Sequence, residues 1–403
     1  MRASSRAPRA ADHRPPGPVP ADQGNTPVTI DNEAAALAAL GWDSTFADAF
    51  APFAAEGLGA ARVVAEHRDR YVLAGALSAE TSAVLAGALS AETSAVLAGR
   101  LRHDARSRLD LPAVGDWVAA TRASSSVDVT SIHAVLPRRT AFVRKMAGDE
   151  TAAQVVAANV DVALVMTALP DDVNVRRLER YLALAWESGA LPVVLLTKAD
   201  LSEDVAAHVA AAQSVAPGVD VIALSSVTGD GVGALARLLR PGRTAVLLGP
   251  SGAGKSTLAN RLLSADHLRT ADVRADGKGR HTTTHRELVR LSGGALLIDT
   301  PGMRELQLWD ADGGLGAAFA DIYALAAECH FRDCRHETEP GCAVRAAVDA
   351  GRLPAERLEH WRQLQRELAH LARRQDELAA AADRSRTKSL QRLLREHLRR
   401  KYR

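Results

Sequence analysis

Gly249-Pro250-Ser251-Gly252-Ala253-Gly254-Lys255-Ser256-Thr257 is the segment whose residue types and spacing define the most specific chemistry. It follows an apolar run at 244–248 and precedes the helix-forming Leu258-Ala259-Asn260-Arg261-Leu262-Leu263. Strand, glycine loop and helix in that order cradle phosphate. The glycines let backbone N–H groups turn toward it, and the helix N-terminus adds partial positive charge. Lys255 would then reach the β- and γ-phosphates, and the Ser256 hydroxyl would ligate Mg²⁺.

Four further segments supply what a phosphate loop lacks. Thr197-Lys198-Ala199-Asp200 follows the apolar run 192–196 and resembles the NKxD guanine motif, with Thr where Asn is usual. A carboxylate such as Asp200 can accept two hydrogen bonds from guanine's ring N–H and exocyclic amine, a pair that adenine does not offer on that edge. Ser225-Ser226-Val227 is placed as a second base-contacting loop. Asp299-Thr300-Pro301-Gly302 follows the run 295–298 and resembles DxxG, whose Asp holds Mg²⁺ through water and whose Gly N–H senses the γ-phosphate. Between the two phosphate motifs lies Gly277-Lys278-Gly279-Arg280-His281-Thr282-Thr283-Thr284, where Thr283 would close over Mg²⁺ as a first switch. Ordinary GTPases run phosphate loop, switch threonine, DxxG, base motifs. Here the base motifs come first, which reads as a circular permutation of the same sheet. The chain has only six Lys among its 50 basic residues, and Lys198, Lys255 and Lys278 all fall within these motifs.

All three cysteines lie in Cys329-His330-Phe331-Arg332-Asp333-Cys334-Arg335-His336-Glu337-Thr338-Glu339-Pro340-Gly341-Cys342. Cys329, Cys334, His336 and Cys342 make a closed Cys₃His set suited to one structural, tetrahedral Zn²⁺, with His330 as an alternative ligand.

The elements that must position these groups divide the chain into four. Residues 1–32, rich in Pro, Ala and Arg, read as a disordered extension. Residues 33–137 read as a short helical segment, 33–55, followed by β-type runs at 62–65, 71–73, 115–118 and 126–129, a small barrel or sandwich. LAGALSAETSAV occurs at 73–84 and again at 85–96, a duplication read as an insertion in a barrel hairpin. Residues 138–308 alternate apolar runs (160–166, 192–196, 221–224, 244–248, 295–298) with helical segments such as 175–188, a doubly wound α/β domain. Residues 309–403 are helical around the cysteine cluster and end in a tail, 384–403, with nine Lys or Arg against Glu396 alone, suited to a polyphosphate partner. No apolar run approaches the roughly 18 residues of a membrane span, and the N-terminus lacks the order of a secretory signal. The expectation is a cytoplasmic protein that acts as a monomer and uses no membrane.

The assembly resembles the ribosome small-subunit-dependent GTPase A (RsgA) family, from Gly115-Asp116-Trp117-Val118 through Ala157-Ala158-Asn159-Val160-Asp161 to Glu339-Pro340-Gly341-Cys342. The resemblance implies an N-terminal OB-fold barrel, a central permuted GTPase domain and a C-terminal zinc domain. It also implies binding to the small ribosomal subunit and its rRNA, GTP hydrolysis stimulated by that subunit, and a role in its late maturation. Met303 stands where many GTPases carry a water-orienting Gln, and the family places that work on a switch histidine, which here matches His281. The contrasting reading is an RNA-binding assembly scaffold whose nucleotide site is regulatory. Aromatics are only 4% of the chain, so stacking of unpaired bases is not expected to be widespread.

Overall fold

The computed structural model describes residues 27–67, 70–77, 92–122, 129–146, 149–169, 173–267, 286–299, 312–369 and 373. It opens with two helices, α1 (Pro27–Ala39) and α2 (Ser44–Ala55), where a single segment was expected. The break has a local cause. Gly41 sits at φ +88°, and the Asp43 carboxylate caps α2 by accepting from the N–H groups of Thr45 and Phe46. Helix α1 begins at Pro27, inside the segment expected to lack structure, with proline at the first helical position where its missing N–H costs nothing.

A barrel follows, of β1 (Gly59–Glu66), β2 (Tyr71–Gly75), β3 (Thr93–Leu97), β4 (Trp117–Ala120) and β5 (Thr130–Val135), with the short helix α3 (Gly99–Asp104) between β3 and β4. The strands pair in the order β1-β2-β3-β5-β4, and β1–β4 pairing closes the ring. Strand β5 starts just after the expected 126–129 run, whose first three residues lie outside the described ones. The duplication falls where a hairpin can lengthen: β2 ends in the first copy, β3 comes from the second, and Leu73 pairs with Thr93.

The nucleotide domain has the sheet order β10-β9-β8-β11-β13-β12, built from β8 (Val162–Ala168), β9 (Leu191–Thr197), β10 (Asp220–Ala223), β11 (Thr244–Leu248), β12 (Arg286–Arg290) and β13 (Leu296–Asp299). All neighbours from β10 to β13 are parallel; β12 is antiparallel and also pairs with β1 of the barrel, so one sheet runs through both domains. Neither β12 nor the hairpin β6 (Ala141–Met146) with β7 (Asp149–Ala158) was expected. Helices α4 (Val175–Ser188), α5 (Val205–Val215) and α6 (Val232–Leu238) connect the parallel strands β8 to β11 in turn, and α7 (Lys255–His267) follows β11. Their apolar residues and both faces of the buried strands form two contiguous cores.

The junction of barrel and nucleotide domain explains the Gly115-Asp116-Trp117 motif. Gly115 passes so close to β7 that a Cβ there would lie 2.1 Å from the Ala158 carbonyl oxygen. Buried Asp116 accepts from Nε and a terminal nitrogen of Arg138 at 2.8 and 2.7 Å, and from the Ala113 N–H. Trp117 is fully buried and packs edge-on against Trp42. Buried Arg62 donates to the carbonyls of Leu40, Gly115 and Asn159, tying α1, the barrel and the entry to β8 together.

The C-terminal module comprises α8 (Asp312–Ala318), α9 (Ala320–Ala326), the cysteine loop, α10 (Ala343–Asp349) and a helix over 355–369, α11. It docks on α4. Gly314 approaches α4 closely enough that a Cβ would lie 2.3 Å from the Ala183 carbonyl oxygen, and its N–H donates to Glu187 at 2.8 Å. Beneath this contact, Arg357 of α11 reaches Glu179 of α4 at 2.7 Å and chelates Asp321 of α9 at 2.7 and 2.9 Å. His360 bonds the other Glu179 oxygen at 2.8 Å. No described helix is long and apolar enough to cross a membrane.

Candidate functional site

The permuted motifs meet at the carboxyl edge of the parallel sheet, where open α/β sheets bind ligands. Asp161 sets the strand register from the opposite edge: its carboxylate accepts from the Thr244 N–H at 2.7 Å, and its own N–H donates to the Thr244 carbonyl at 2.8 Å. This locks the starts of β8 and β11 side by side. From the end of β11 the loop 249–254 turns into α7 with Gly249, Gly252 and Gly254 at positive φ. A Cβ on Gly249 would lie 2.6 Å from the Met166 carbonyl oxygen, so β8 itself limits the first position of the loop. The Lys255 ammonium donates to the carbonyls of Gly249 and Pro250 at 2.7 and 2.6 Å, which holds it over the loop mouth. Ser256 and Thr257, in the first turn of α7, are exposed.

Thr197 ends β9 and is 2% exposed. Its hydroxyl donates to the Ala253 carbonyl at 2.8 Å, with the Thr167 carbonyl at 3.3 Å. The residue that departs from the NKxD pattern therefore ties the base-motif strand to the phosphate loop. Lys198 is left-handed at φ +56°, which aims Ala199 and Asp200 into a single 3₁₀ turn. The Ala199 N–H then bonds the Leu224 carbonyl, joining the two base loops, and Asp200 is exposed. Ser225 is 1% exposed, and its hydroxyl accepts from the N–H groups of Val227 and Thr228. It shapes its loop from inside, leaving Ser226 half-buried and Val227 exposed at the rim.

Two residues beside this site carried no motif signal. Asn174 and Arg177, at the start of α4, line one cavity together with Lys198 and the loop residues Pro250, Ser251, Gly252 and Ala253. The Asn174 side chain caps α4 through the Arg177 N–H. That cap was readable as a helix start, but its nearness to the phosphate loop follows only from the fold. Asp299 closes β13, opposite Glu287 of β12. His281, Thr283, Gly302 and Met303 lie outside the described residues, as does the basic tail 384–403.

The second cluster is Cys329, Cys334, His336 and Cys342, whose ligand atoms all lie within 4.8 Å of one another. Cys329 and Cys342 sulfurs are 3.9 Å apart, and the His336 Nδ1 is 3.6 and 3.4 Å from them. Tetrahedral zinc with Zn–S of about 2.3 Å and Zn–N of about 2.0 Å requires S···S near 3.8 Å and S···N near 3.5 Å. The donor set fits such an ion. His330 is not in it: its ring packs edge-on against Phe331 at 4.7 Å. Burial pushes the His336 imidazole below its ordinary pKa, which favours the neutral ligand form. Burial raises the Cys329 thiol, but the N–H groups of Val344 and Ala343 outweigh it and hold its pKa below the usual value.

Comparison with known proteins agrees with this geometry. The RsgA GTPase family profile matches residues 135–309. A second profile, described as a 50S ribosome-binding GTPase, matches 244–392 and so begins at the strand before the phosphate loop. Among solved structures, YjeQ from Thermotoga maritima superposes with a TM-score of 0.57 at 23% identity, covering 77% of this chain and 99% of that one. YloQ, titled a circularly permuted GTPase, has the same TM-score at 24% identity, covering 78% and 96%. The small ribosomal subunit biogenesis GTPase RsgA of Opitutus terrae is 49% identical, with 88% of this chain and 95% of that protein aligned. The protein of the same name from Streptomyces coelicolor is 46% identical over 88% and 93%. The chain belongs to the RsgA GTPase family.

Proposed function

We infer that the chain binds GTP at the carboxyl edge of its permuted sheet, hydrolyses it, and uses that cycle to act on and leave the small ribosomal subunit late in its maturation. The observation that carries the reading is the Thr197–Ala253 hydrogen bond, by which a base motif lying upstream in sequence grips the phosphate loop. Asp200 and the 225–226 loop would select guanine. The backbone of 249–254 and Lys255 would hold the β- and γ-phosphates. Mg²⁺, held by Ser256 and Thr283 and through water by Asp299, would supply charge neutralisation when bound. Gly302 would sense the γ-phosphate, and His281 would orient the attacking water. Zn²⁺ on Cys329, Cys334, His336 and Cys342 would fix the fold of the C-terminal module.

In chain order, residues 277–284 precede β12, whose Arg286 pairs with Glu66 of the barrel at 3.0 Å. The DxxG residues precede α8, which is seated on α4. Nucleotide state can thus reach the barrel and the C-terminal module, and from them rRNA. The protein would work in the cytoplasm as a monomer, with the basic tail adding phosphate contacts.

GTP and ATP turnover measured with and without purified small subunits tests this reading. GTP-specific turnover that rises with subunits supports it; equal ATP turnover, or none with either nucleotide, overturns it. His281→Ala should leave GTP affinity within several-fold and lower stimulated kcat by about 10²-fold.

A further inference from the structure

Among the described residues, the only exposed Phe, Tyr or Trp side chains are Tyr323 and Phe331, at 38% and 42%. Both line one groove of about 430 Å³ between α9, the cysteine loop and α11. Trp361 forms part of its wall, crossing Tyr323 at 84° with ring centres 6.1 Å apart. The Tyr323 hydroxyl accepts from Gln365 at 3.0 Å, so that ring is held in place. Arg332, Arg335, Arg362 and Arg366 also line the groove, against Glu337 as its one acid. Arg362 is spent on the His336 carbonyl and Arg366 on Glu359. The guanidinium groups of Arg332 and Arg335 have no ion pair or hydrogen bond among the described residues.

We propose that this groove takes an unpaired RNA nucleotide, its base stacked on Phe331 and Tyr323 and its flanking phosphates held by Arg332 and Arg335. Exposed aromatic faces beside unpaired arginines match a base with its phosphates: the ring stacks on any base, and the cation meets the backbone. An acidic peptide would use the charges but leave the aromatic faces wet. A duplex would present phosphates with its bases already stacked away from reach. In a chain so poor in aromatics, their placement together in the open is the informative feature. The proposal rests on reading the chain as a small-subunit factor and names the RNA feature that its C-terminal module would hold.

The test uses the full, metal-loaded chain and anisotropy titrations with three labelled probes: a single-stranded RNA decamer, a hairpin stem of equal length and a Glu decapeptide. Phe331→Ala should weaken single-strand binding about tenfold, with hairpin binding nearly unchanged. Tyr323→Ala, outside the metal loop, should act the same way. Metal content and GTP affinity should not move in either variant, and Phe331→Trp should restore binding. Changing Arg332 and Arg335 together to Ala should flatten the salt dependence of single-strand binding. Single-strand affinity insensitive to both aromatic substitutions overturns the proposal, as does Phe331-dependent binding of the Glu peptide in preference to RNA. If that happens while small subunits still stimulate GTP turnover, the groove assignment falls and the reading of the chain stands. Loss of stimulation in the unaltered protein would instead bring down the broader reading.

Discussion

Two buried arginines hold the molecule together at its two internal junctions, one through backbone carbonyls alone and the other through carboxylates as well. Arg62, where barrel meets nucleotide domain, donates to three backbone carbonyls. Without a carboxylate in contact, burial pushes its pKa down to about 10. Arg357, where the nucleotide domain meets the C-terminal module, donates to the carboxylates of Glu179 and Asp321 as well as to the carbonyls of Ala318 and Val215. Burial opposes its charge too, but Asp321 and Glu179 hold its pKa above the usual arginine value. The carbonyls that Arg62 meets lie in the turns beside α1, β4 and β7, so its three bonds tie the helix, the barrel and the entry to the nucleotide domain into one unit. Glu179 and Arg357 sit on separate helices that meet as finished surfaces. The first junction is continuous with the core; the second is a docking joint.

That contrast can be broken at either end. Arg62→Met orphans the buried Leu40 and Asn159 carbonyls, the Gly115 carbonyl keeping the Asn159 amide, and should cost about 4 kcal/mol, at about 1–3 kcal/mol for each unpaired group. Calorimetry should show barrel and nucleotide domain destabilised together, with nucleotide binding lost when the domain melts. Arg357→Met leaves Glu179 buried without its cation, at a cost of about 3 kcal/mol. The loss should be local: early proteolysis between nucleotide domain and C-terminal module, with GTP affinity kept. A whole-chain collapse in this variant would erase the distinction between the joints. The Thr197 tie sharpens the comparison, because donor and acceptor are both neutral. Thr197→Val should cost only about 1 kcal/mol of stability yet weaken GTP about tenfold, since the orphaned Ala253 carbonyl lies in the phosphate loop. Unchanged affinity in a fluorescent-nucleotide titration would show that the tie does not shape the site.

The nucleotide domain was legible because its strands are buried on both faces and read as unbroken apolar runs. The expected 244–248 strand and 175–188 helix coincide with β11 and α4. Strand β12, Arg-Glu-Leu-Val-Arg, escaped notice because only Leu288 is fully buried; its place comes from pairing with β1 and β13. The β6–β7 hairpin is half-polar for a similar reason: it forms a sheet of its own beside the main one. The metal cluster could be read from spacing alone, and geometry removed the His330 alternative. Glu179 and Arg357 could not be read at all. Charged residues within amphipathic helices resemble solvated ones until a second surface covers them. Thr197 looked like a weakened guanine motif, and its role emerged only when β9 lay beside the phosphate loop.

The central claim is that a permuted chain assembles one guanine-specific site from motifs on both sides of its new order. Asp200→Asn tests it most directly, because the change exchanges the hydrogen-bond partner wanted on the base without touching phosphate or metal ligands. The account predicts that the variant loses affinity for GTP, gains affinity for xanthosine triphosphate, and hydrolyses the latter with subunits present. Unaltered preference for GTP would contradict it, and would mean that Thr197-Lys198-Ala199-Asp200 does not read the base.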